Sequence, residues 1–125
     1  MTKRHYQRGR QEHRRTSFFL AEPPKVICLC GSTKFKEAFE KMNLHLTLAG
    51  VIVLSVGSYM HSDPELHITE EQKVQLDALH KMKIDLADEI LVLNVGGYVG
   101  DSTRSEIDYA RARQKPIRYL EQVAP

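Results

Sequence analysis

The feature that most constrains this chain is an alternation of short, unbroken apolar runs with segments whose apolar residues recur at helical spacing. The runs are Val26-Ile27-Cys28-Leu29-Cys30, Val51-Ile52-Val53-Leu54-Ser55, Ile90-Leu91-Val92-Leu93-Asn94-Val95 and Pro116-Ile117-Arg118-Tyr119-Leu120. A strand that is apolar at successive positions needs cover on both faces, as in a parallel sheet sandwiched between helices. Between the first two runs, Phe35, Ala38, Phe39, Met42 and Leu46 mark a helix over 34–49, and Gly50 is placed to end it in the left-handed conformation. Before the third run, Thr69 and Gln72 read as a capping box, and Leu76, Leu79, Met82 and Leu86 mark one face of the helix that follows. A third helix is expected from Ser102 to Gln114. Strands joined through helices run parallel with right-handed crossovers, so the expectation is an α/β domain with a sheet of four to five strands.

At 125 residues there is room for one such domain. Residues 1–24 are expected to be an arm and linker outside it, closed by Pro23-Pro24, with the domain occupying 25–125. The arm holds Lys3, Arg4, Arg8, Arg10, Arg14 and Arg15 but only Glu12 among acids; twelve basic and fifteen acidic residues remain, a net charge of −3 for the rest. A basic arm on a mildly acidic body is either a solvated, disordered start or a means of attaching to nucleic acid. No apolar run approaches the roughly 20 residues needed to span a bilayer, and the first 15 residues are too basic for a secretory signal, so no membrane partner and a cytoplasmic location are expected. Cys28 and Cys30 share a strand face without forming a paired CxxC pattern. His61, His67 and His80 match no ligand spacing, so neither a metal nor another cofactor is expected.

Sheets of this kind bind ligands beyond the carboxyl ends of their strands, where the strand order reverses. Two loops meet that description, Gly31-Ser32-Thr33-Lys34 and the stretch from Gly96 to Arg104. The first supplies a turn glycine, two hydroxyls and a cation at a helix start. That is either an anion site or a plain helix cap with Lys34 in solvent. In the second, Gly97, Tyr98, Ser102 and Thr103 are candidate binding residues, Tyr98 and also Tyr59 being able to stack on a base or to pack a loop. Glu106 closes Thr103-Arg104-Ser105-Glu106, which fits a capping box; alternatively its carboxylate, ionised in the first helical turn, reaches the crevice as nucleophile or base. Residues 56–68 have no period and form a long loop, either a lid or an irregular connection.

Several segments together resemble the nucleoside 2-deoxyribosyltransferases and the related deoxynucleoside 5'-monophosphate N-glycosidases. They are Cys28-Leu29-Cys30-Gly31-Ser32, Ile84 to Val92, and Gly100-Asp101-Ser102-Thr103-Arg104-Ser105-Glu106-Ile107-Asp108-Tyr109-Ala110 with Lys115-Pro116-Ile117. The resemblance runs from about Val26 to Leu120. It implies a flavodoxin-like fold, Glu106 as nucleophile, a nucleoside or nucleotide substrate, and a 5'-phosphate held by Ser32, Thr33, Lys34, Ser102 and Thr103. It also implies a homodimer in which the neighbouring subunit closes the pocket. Two positions depart from the family pattern: Cys28 stands where the family has an aromatic hydroxyl, and His80 where it has an aspartate. His80 is then either an acid for a leaving base or a packing residue, and Asp101 either the acid or a turn residue. The expected function is cleavage or transfer of an N-glycosidic bond. The alternatives are a non-catalytic nucleotide-sensing module of the same fold and a nucleic-acid-associated protein acting through its arm.

Overall fold

The computed structural model describes residues 22–123, so nearly all of the basic arm lies outside the described residues. The elements follow the order β1 (Val26–Cys30), α1 (Lys36–Leu48), β2 (Ile52–Leu54), α2 (Glu70–Leu86), β3 (Glu89–Val92), α3 (Asp101–Ala112) and β4 (Ile117–Tyr119). The four strands form one parallel sheet in the order β2-β1-β3-β4, the flavodoxin-like arrangement. The chain leaves β1 toward one edge and crosses back to build the other. The reversal therefore falls between the carboxyl ends of β1 and β3, which face each other.

Side-chain alternation along β1 divides the core in two. Ile27 and Leu29 pack with Phe39 of α1 and with Leu93, while Cys28 and Cys30 point to the opposite face, among Ile84, Ala87, Ile90, Val92, Ile107 and Ala110. One helix covers the first face and two cover the second, which is why β1 and β3 read as continuous apolar runs. Both faces of these strands are dry.

The expected boundaries hold with informative exceptions. The Thr69 capping box is formed: Gln72 N donates to the threonine hydroxyl at 3.0 Å and Thr69 N donates to the Gln72 carboxamide oxygen at 3.0 Å. Gly50 takes a φ of +87°. The third strand ends at Val92 because β1 ends opposite it. Leu93 N still donates to the Cys30 carbonyl at 2.8 Å, after which Asn94 turns to hold Glu121 through two hydrogen bonds and Val95–Gly97 form a 3-10 turn. The third helix starts earlier than expected, at Asp101, with Gly100 as its N-cap. Glu106 is thus in the second turn, and the capping-box reading of Thr103 and Glu106 is overturned.

The apolar stripe of α2 is the largest surprise. Leu76, Leu79, Met82 and Leu86 do not pack on the sheet; Leu79 is 49% exposed and Met82 59%. The inward face carries His80 and Ile84, continuing toward the strand ends through Asp77 and Lys73.

Candidate functional site

A cleft of about 690 Å³ opens at the carboxyl ends of β1 and β3, a volume within the range typical of small-molecule sites. Its walls come from the Gly31–Lys34 loop, the 56–68 loop, one face of α2 and the start of α3. The sequence-predicted residues Gly31, Ser32, Thr33, Lys34, His80, Tyr98, Asp101, Ser102, Thr103 and Glu106 all line it. Gly97 does not; with a φ of +83° it turns to a neighbouring depression beside Asn94, Val99 and Arg104.

The first loop is not a helix cap. Phe35 is the N-cap residue of α1, and the Ser32 hydroxyl instead accepts from Lys34 N at 3.3 Å. Gly31 is needed where it stands because a Cβ there would come within 3.2 Å of both the Leu93 carbonyl oxygen and the Leu93 Cβ. Lys34 is exposed, yet its ammonium lies 3.7 Å from the centre of the Tyr98 ring, joining the two loops across the cleft mouth. The 56–68 loop closes another side. His61 Nδ1 hydrogen-bonds the Thr33 hydroxyl, Ser62 Oγ donates to the Thr33 carbonyl at 3.4 Å, and Val56, Met60, Leu66 and Ile68 provide an apolar wall. Tyr59 packs against Phe39 at 5.8 Å between ring centres and takes no part in the lining.

At the start of α3 no side chain caps the helix, so the amides of its first turn are available beside the hydroxyls of Ser102 and Thr103. Lys73 reaches the same rim and donates to Ser102 Oγ at 3.3 Å, and it pairs with Asp77 at 3.5 Å. Asp101 sits exposed on this rim.

Glu106 forms the floor and is only 9% exposed. Burial pushes its carboxyl up to about 7; His80 opposes that rise, while Cys28 and Asp77 add to it. The expectation of a first-turn carboxylate kept ionised by the helix dipole is therefore overturned. Depth controls its charge. His80, 6% exposed, places Nε2 4.0 Å from Glu106 Oε1, 3.1 Å from the Leu29 carbonyl, and 3.6 Å from the sulfurs of both Cys28 and Cys30. Burial pulls the imidazole down, but the hydrogen bond and charge of Cys28, together with Glu106, outweigh it and the net direction is upward. The Cys28 thiol is lowered to about 6, first by its hydrogen bond with Cys30 and, against burial, by His80. This nitrogen of His80 thus lies at the floor of the cleft, where its charge offsets part of the rise that burial imposes on Glu106.

Sequence reasoning missed Lys73, Asp77 and Lys83 on α2. Their signal was a polar stripe of helical spacing, Lys73-Asp77-His80, running beside the apolar one. It also missed that Cys30 joins Cys28 and His80, since the residues lie some fifty positions apart in the chain. Asp88 has a structural role, accepting from Val26 N at 2.8 Å to anchor the start of β1.

No family model matches the chain, and no curated protein matches it.

Proposed function

We infer that the protein cleaves or transfers the N-glycosidic bond of a nucleoside or nucleoside 5'-monophosphate, with Glu106 as the nucleophile. The observation that carries this reading is a carboxylate at the closed end of a nucleotide-sized cleft, tuned near neutrality and flanked by an imidazole. A group with that affinity for protons is ionised in a useful fraction at neutral pH yet remains poorly solvated, which favours attack on an electrophilic carbon.

In this mechanism a Glu106 oxygen forms a bond to the anomeric carbon as the carbon–nitrogen bond breaks, and the base departs with a proton. Asp101, on the rim, is the group assigned to pass that proton to the base from solvent. Water then attacks the glycosyl ester and returns the carboxylate, or a second base does so and the outcome is transfer. His80 is a positioning residue for Glu106. Ser32, Thr33, Lys34, Ser102 and Thr103, with Lys73, are suited by charge and hydrogen bonding to a 5'-phosphate, and the apolar wall of the 56–68 loop is suited to the base.

The exposed stripe of α2 supports a homodimer as the working form. Leu76 and Leu79 belong both to this stripe and to the cleft lining, so a second copy on that surface would complete the wall.

Incubation with a panel of nucleosides and nucleoside 5'-monophosphates, with and without an acceptor base and scored for free base, tests the reading. Release or exchange of base is expected, with loss of turnover but retained ligand binding in Glu106→Gln. Binding with no base release from any member would establish the nucleotide-sensing alternative instead.

A further inference from the structure

Beneath the cleft, the fold gathers two thiols that the glycosidic reading does not use around the histidine that it places beside Glu106. Cys28 and Cys30 project from the same face of β1, and His80 of α2 lies across from them. The two sulfurs and Nε2 all fall within 4.8 Å of one another, and all three residues are buried. The separation of Nε2 from each sulfur is 3.6 Å. Zinc binds thiolate sulfur at about 2.3 Å and imidazole nitrogen at about 2.0–2.1 Å, so two ligands at a tetrahedral angle stand about 3.5 Å apart. Both sulfur–nitrogen edges of such a site are already present without moving the backbone.

We propose that Cys28, Cys30 and His80 form a three-ligand site for a thiophilic divalent metal of the zinc class, with its fourth position facing Glu106 and the cleft. Thiolate and imidazole together select zinc over magnesium or calcium, which take oxygen ligands. The ligands come from two elements that the core holds rigidly, Cys28 and Cys30 being inaccessible and His80 lying at the cleft floor, so the ion enters through the cleft. Loading exchanges one set of contacts for another. Each thiol gives up its proton, Nε2 releases the Leu29 carbonyl, and the imidazole proton then resides on Nδ1. Glu106 Oε1, a carboxylate oxygen of the cleft lining 4.0 Å from Nε2, is placed to reach the fourth position. Its test reads metal binding alone, so the outcome does not depend on whether Glu106 attacks a sugar.

Cobalt titration of the full chain under a non-thiol reductant, after chelator treatment, reads this site selectively. The chain has only two cysteines, so any thiolate-to-cobalt charge-transfer band reports them, whatever surface histidines do. One equivalent of cobalt is expected to produce that band together with the intense visible bands of a tetrahedral centre, and zinc should bleach both. Cys28→Ser, Cys30→Ser and His80→Asn should each lower zinc affinity beyond the ~10–100-fold that removing a supporting group costs. Glu106→Gln should retain the charge-transfer band. Circular dichroism of each variant identifies those that fold, and Cys30→Ala serves as a second substitution should the serine disturb the core. Absence of the band in the wild-type protein, or unchanged zinc affinity in any folded variant of the three ligands, overturns the proposal.

Discussion

At the residue scale, burial of Glu106 has opposite consequences for chemistry and for stability. A carboxyl raised from 4.5 to about 7 favours folding only while protonated, so its contribution is full below about pH 4.5 and is lost as pH rises through about 7. Glu106→Gln is therefore expected to leave stability near pH 4 unchanged and to raise it by about 3 kcal/mol at pH 8, as measured by denaturant unfolding at the two pH values. Equal stability at pH 8 would mean that the carboxylate is better solvated than its burial implies. The same shift predicts an acid limb near pH 7 in kcat/KM, since the attacking form is the ionised one. His80 holds that limb down, so His80→Gln should move it to higher pH in a folded protein. A purely packing role for the imidazole would change stability and leave the limb in place.

At the element scale, β1 and β3 were legible because a strand covered on both faces has no polar side to disguise it. The Thr69 capping box was legible because both partners lie within four residues. Its replacement, Thr69→Ala, should cost about 1 kcal/mol in denaturant unfolding without altering ligand affinity, since the cap lies apart from the cleft floor. The inward face of α2 was not legible. Apolar periodicity identifies the face that avoids water, and here the sheet-facing side carries a cleft lined by Lys73, Asp77 and His80, while the leucine stripe is exposed and only Leu76 and Leu79 of it reach the cleft rim. Glu106 was misplaced by one turn for a similar reason. Thr103 resembles a cap in sequence, but Gly100, with no side chain to signal it, is where the backbone leaves the extended conformation.

For the whole molecule, strand order positions the site. Reversal between β1 and β3 brings the two loops together, and the resulting cleft collects most of the residues singled out from sequence. The Cys28–Cys30–His80 set was beyond sequence reasoning because only the β1–α2 packing unites it. The exposed α2 stripe is a property of the same scale. If it is a dimer surface, Leu79→Asp should shift the protein from dimer to monomer in light scattering while preserving its circular dichroism. A wild-type protein that is monomeric at every concentration tested would remove the need for a partner.

The central claim is that Glu106 bonds to a sugar carbon. A 2-fluoro-substituted nucleotide substrate slows breakdown of such an ester, so intact-mass and peptide mass spectrometry should find one glycosyl adduct, on the peptide carrying Glu106, and none in Glu106→Gln. An adduct on Cys28, or steady base release from the natural substrate by Glu106→Gln, would contradict the account.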